Sequence, residues 1–181
     1  MITASKAVTQ HRDEMAARWV EWLGDRITST RTASAELADA EFRVLLEVFA
    51  ALVGPLRREV RPLWAKATER YGRHAAARGL AAGEVVEEMQ YLRELLIRYL
   101  APAIAALRPR QGMALLLRLN RLVDKGVAMA VVGYTDELVK TLIPAADGDS
   151  PDRLPDGSDL EAWLQTIRNE LEGIISHEVQ Q

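Results

Sequence analysis

Apolar residues recur three and four positions apart along almost the whole chain, and no stretch alternates with a period of two. That spacing predicts an all-α protein, because a side chain returns to the same helix face every 3.6 residues. A first helix is expected from about Ser5 to Leu23, with Met15, Trp19 and Trp22 or Leu23 on one face. A second spans about Ala35 to Val53, with Phe42, Leu45, Leu46, Phe49 and Leu52 or Val53 as its stripe, and Gly54-Pro55 ends it. The third runs from Pro62 to Ala77 with Trp64, Ala67 and Tyr71 inward, and Gly79 is its expected C-cap. The fourth starts near Ala82, carries Val85, Met89, Leu92, Leu96 and Tyr99, and should kink or end at Pro102.

The fifth helix, about Arg110 to Ile143, is the longest, about 50 Å if continuous. Leu115, Leu116, Leu117, Leu119, Leu122, Val123, Val127, Val131 and Val132 occupy more than one of its faces. A helix apolar on two sides must be covered on two sides, so one face is assigned to the domain's own core and the other to a second subunit. Residues 144–158 then hold three prolines, two glycines and four aspartates without apolar periodicity, the composition of a linker. Helix resumes with Ser158 or Asp159 as N-cap. In residues 159–181, Leu160, Leu164, Ile167, Leu171 and Ile174 alternate spacings of four and three, the repeat of a coiled-coil seam. The expected organisation is therefore a helical bundle of about five helices over 1–143, a linker over 144–158, and a pairing helix over 159–181.

Composition narrows the chemistry. In 181 residues, 49% are hydrophobic and 27% charged, which fits a folded globular domain with an appendage. The net charge of −3 leaves no basic stripe for nucleic acid; the cluster Arg57, Arg58 and Arg61 reads as a solvated helix end. With no cysteine, thiolate metal sites, disulfides and cysteine nucleophiles are excluded. The three histidines, His11, His74 and His177, lie far apart. His177-Glu178 is no zinc-protease motif, since Gln181 stands where the second His would be. His74 is expected at a surface or helix end, and a haem site around it has no other support. The longest uncharged run, between Lys125 and Asp136, is far short of the roughly 20 residues a membrane span needs. A cytoplasmic protein with no membrane span is expected.

Two positions suit specific chemistry. Asn120 and Asp124 interrupt an apolar helix, and Arg93 would reach Asp124 as a buried polar pair if the fourth and fifth helices run antiparallel. His177 lies beside the seam with Glu178 next to it. An imidazole held in one tautomer and exposed can capture a phosphoryl group, and the neighbouring carboxylate can take its proton.

The segment Asn169-Glu-Leu-Glu-Gly-Ile-Ile-Ser-His177-Glu178-Val179 resembles the H-box of sensor histidine kinases. The resemblance implies His177 as phosphoacceptor, Glu178 as its acid/base neighbour and a homodimer. It also implies a response regulator as partner, and a chain that continues into a catalytic domain. ATP and Mg would belong to that domain; no cofactor is expected in this chain. Residues 1–143 resemble the N-terminal domain family of RsbT co-antagonist (RsbRD-type) proteins. The matching features are Arg18-Trp19, Gly79-Leu80, Glu84-Val-Val-Glu-Glu-Met-Gln-Tyr-Leu-Arg93, Leu119-Asn-Arg-Leu-Val-Asp124, Ala130 and Tyr134. That family implies signal input ahead of a kinase or stressosome output. The alternative reading is a stand-alone stressosome-like adaptor that binds protein partners without phosphotransfer. A small enzyme is disfavoured, because no nucleophile–base pair or phosphate loop is readable.

Overall fold

In the computed structural model, residues 2–26, 35–142 and 157–179 are described, apart from a few side chains at the segment ends. They form an all-α bundle of seven helices: α1 (Ile2–Gln10), α2 (Arg12–Arg26), α3 (Ala35–Leu52), α4 (Arg57–Ala77), α5 (Ala82–Ala105), α6 (Pro109–Leu142) and α7 (Gly157–Val179). The expected first helix is divided at His11 into α1 and α2. Backbone bonds still cross the break, from His11 N to Ala7 O at 3.1 Å and from Met15 N to His11 O at 2.9 Å. Helix α4 begins earlier than expected and takes in Pro62. Leu56 and Val60 are buried, so apolar burial draws the first turn onto the core, while exposed Pro62 gives up its bond on the solvent side. Pro102 is likewise accommodated, and α5 ends one turn later at Ala105.

Gly79 ends α4 with φ 81°. Its N–H donates to Ala76 O at 2.9 Å and Leu80 N–H to Ala75 O at 3.1 Å, the two bonds of a Schellman cap. This turn leads the chain from α4 into α5; both helices pack mainly on α6, and Tyr134 of α6 donates to Leu80 O at 2.9 Å, tying the turn to that helix.

The core centres on aromatics from separate helices. Trp19 stacks on Phe42 at 4.5 Å, with Tyr71 tilted against it at 6.4 Å. Phe49 meets Trp64 edge-on at 5.3 Å, and buried Trp64 Nε1 donates to Leu122 O at 2.9 Å. The most extensive contact in the bundle is α4 on α6. It is a crossing of backbones, set by small residues. A Cβ placed on Gly72 would lie 1.8 Å from Ala130 O, one on Gly133 would lie 1.8 Å from Glu69 O, and one on Gly126 would meet the Trp64 ring at 2.7 Å. Only glycine permits such an approach.

The helix expected to stand apart behind a linker does not do so. α7 lies on α3 and α4, and Leu160, Leu164, Ile167 and Leu171 belong to the same buried core as Trp19 and Trp64. Gly157 and Ser158 are already helical, and the rest of the expected linker lies outside the described residues.

Candidate functional site: the docked C-terminal helix

The stripe read as a dimer seam is covered by the chain itself. Leu160, Leu164, Ile167 and Leu171 keep 8%, 3%, 0% and 7% of their surface, and Ile174 packs partly against the core. In this arrangement the stripe expected to face a second subunit faces α3 and α4 of the same chain. A seven-residue repeat makes one face of a helix apolar, and any complementary apolar surface satisfies it. Here the surface is that of α3 and α4.

Polar residues flanking the stripe reinforce the contact. Arg168 Nε donates to Glu47 Oε2 at 3.0 Å, while Arg12 of α2 donates to the other oxygen of Glu47, also at 3.0 Å. Lys66 of α4 pairs with Glu170. Trp163 and the His74 ring meet in a T-shaped contact, with centroids 5.8 Å apart and planes at 83°.

His74 is the clearest departure from expectation. It is 6% exposed, in the interior of the bundle rather than at a surface or helix end. Its Nδ1 lies 2.8 Å from Glu41 Oε1, and Arg70 Nε donates to its Nε2 at 2.8 Å. A guanidinium offers only donors and a carboxylate only acceptors. The ring therefore accepts at Nε2 and donates from Nδ1, which fixes one tautomer. Next to it, Tyr71 donates its hydroxyl to Glu88, and Arg78 Nη2 donates to the same Glu88 oxygen at 3.0 Å. Burial pushes the Glu88 carboxyl above its ordinary range despite the facing Arg78. Burial, and then the Glu88 charge, hold the Tyr71 hydroxyl well above its usual value, so it remains a donor. Each residue sits among apolar neighbours where a lone charge would be costly, and each is hydrogen-bonded.

This network was missed in the sequence, yet a signal existed. Glu41 lies three residues from Ala38 and four from Leu45, and Glu88 three from Val85 and four from Leu92, so both occupy core positions of their stripes. An acid on such a stripe requires a buried partner.

His177 is exposed near the end of α7, on the rim of an open cleft of about 450 Å³ lined by Glu59, Glu170, Gly173 and Ile174. α7 continues through Glu178, whose side chain lies outside the described residues. Arg93 Nη2 donates to Asp124 across the α5–α6 interface. The pair is not interior, however: Asp124 is 60% exposed and Arg93 24%. Asn120 turns its amide to Leu116 O at 3.2 Å within its own helix. Among the described residues no cluster of acids and histidines is placed to hold a metal ion, and no helix is long and apolar enough to cross a membrane.

No family model, curated protein or solved structure matches this chain.

Proposed function

We propose that this chain is the signal-input and dimerisation region of a cytoplasmic two-component sensor histidine kinase, with His177 as the phosphoacceptor. The observation that carries the reading is the placement of His177. It is solvent-exposed on a helix whose apolar face is seated on the sensor bundle, so a change in how α3 and α4 pack is felt along α7. On this reading an imidazole nitrogen forms a bond to phosphorus as the bond to the leaving group breaks. Glu178 takes the ring proton, and the phosphoryl group passes to a response regulator. Self-association is supported by α6, which exposes Met113 (57%) and Leu117 (50%) near its start, and Val132, Leu138, Val139 and Leu142 (70%) toward its end. Exposed groups of large apolar side chains suit a second copy of the chain.

The test is made in the full-length protein encoded by the gene that carries this chain. With ATP and Mg, base-stable and acid-labile phosphate is expected on residue 177, and His177→Ala should abolish it. Label that persists in the alanine variant removes the assigned role. A second reading, an adaptor without phosphotransfer, is favoured by one observation: the α7 stripe is already covered within the chain. It predicts no acid-labile phosphate at all.

A further inference from the structure

Leu160, Leu164, Ile167 and Leu171 can be buried against one apolar partner at a time. In this structure the partner is the α3–α4 surface, so a second α7 has no access to them. Resting on the reading of α7 as a dimerisation helix, we propose that its docking is an autoinhibitory contact, held by a clasp of Trp163 on His74, Arg168 on Glu47, and Glu170 on Lys66.

The clasp residues are distinguishable from the stripe by position. At 3.6 residues per turn, Trp163 and Glu170 fall on one flank of the stripe and Arg168 on the other. Stripe residues are needed in both the docked and the paired state. The clasp contacts exist only in the docked one. A helix that merely completed the core would need the stripe alone, whereas here both flanks are engaged by partners on α3 and α4.

The interior end of the clasp is where a signal would act. The ring that Trp163 touches is oriented by Glu41 of α3 and Arg70 of α4, so three helices meet at His74. A rearrangement that separates α3 from α4 parts Glu41 from His74. It removes the oriented ring that Trp163 packs against and separates Glu47 of α3 from Lys66 of α4, so that Arg168 and Glu170 no longer reach both. Docking then loses its flanking contacts and the stripe becomes available to a partner. The two states compete for the same buried surface, so anything that weakens the clasp shifts the population toward pairing.

The absence of natural cysteine gives a clean reporter. Ile174→Cys places one thiol at a seam position, where parallel paired helices bring the two copies together and a docked helix does not. In this background Trp163→Ala with Arg168→Glu breaks the clasp and spares the stripe. The expected result is a roughly tenfold rise in the rate of intermolecular disulfide formation, with rapid amide exchange in 160–174 and unchanged helicity elsewhere. Adding Ile167→Asp should keep α7 released and abolish the cross-link. Lys66→Glu should raise cross-linking, and Glu170→Lys added to it should return the rate to that of the parent.

The proposal is overturned if the clasp variant frees α7 without faster cross-linking, or if α7 stays protected in that variant. Loss of fold in the double variant leaves the charge exchange at 66 and 170 to decide: a rate unmoved by Lys66→Glu also overturns it. Cross-linking reads helix pairing whether or not His177 takes phosphate, so its failure is separable from failure of the phosphoacceptor assignment.

Discussion

Replacing Gly133 by Ala should damage this protein far more than one methyl group suggests. The new Cβ would stand 1.8 Å from Glu69 O and 2.7 Å from Glu69 C, where ordinary contact begins at 3.4 Å. The obstacle is the α4 backbone, which has no rotamer to change, so α6 must move bodily away from α4. The movement loosens the packing of Trp64 against Gly126, on the same face of α6. Overpacking of a fixed core costs about 1–3 kcal/mol, and a backbone obstacle belongs at the upper end of that range or beyond it. Against it stands the gain in helix propensity of Ala over Gly, about 1 kcal/mol. The net loss should be about 2–3 kcal/mol, a fall in Tm of roughly 4–12 °C for a chain of this size. Gly173→Ala is the matched control, since nothing lies within 4 Å of its Cβ position. That change should leave Tm unaltered or raise it by a few degrees, by about 0.4–1 kcal/mol of unfolded-state entropy and propensity. Thermal and urea unfolding followed by far-UV circular dichroism compare the two. Equal behaviour of the variants would refute the claim that the α4–α6 crossing is set by backbone contact.

Three further outcomes follow from the polar pairs. Burial holds the Glu88 carboxyl above its ordinary value of 4.5, so the native state binds that proton more tightly than the unfolded chain. The contribution of this group to stability is present below that value and is lost as pH rises through its native titration. Glu88→Gln, which mimics the protonated form, should accordingly be as stable as the parent or more so at neutral pH. Arg78→Ala leaves the carboxylate buried without a counterion and should cost about 3 kcal/mol, a loss that shrinks as acid protonates Glu88. Urea titrations across pH 4–8 check both, and a large loss in Glu88→Gln would contradict the sign. For Arg93 and Asp124, the 60% exposure of the aspartate limits their coupling in a double-mutant cycle to about 1 kcal/mol or less. Several kcal/mol would show that Asp124 is desolvated by something beyond this chain.

The helices themselves were legible. Met15, Trp19, Phe42, Phe49, Trp64, Tyr71, Met89 and Leu92 were placed inward by spacing, and all are buried. The cap at Gly79 was readable because a residue past a helix end with positive φ is most readily glycine. The division at His11 was not readable, since no proline or glycine marks it and the bonding continues across it. Nor was the interior place of His74, whose partners Glu41 and Trp163 lie 33 and 89 residues away along the chain.

What the amino-acid order determined alone is local: where helices run, which face of each is apolar, and where the backbone turns. These depend on contacts within a few residues. Which apolar face meets which is a global question. The stripe from Leu160 to Leu171 had two chemically equivalent solutions, a second copy or the bundle's own flank. Only the tertiary structure shows the bundle's own flank occupying it, because α3 and α4 present Glu47, Lys66 and His74 where the α7 flanking residues can reach them. The glycines of α6 tell the same story. Their spacing is visible in the sequence, but that they admit the α4 backbone rather than merely weaken a helix is known only once the two helices cross.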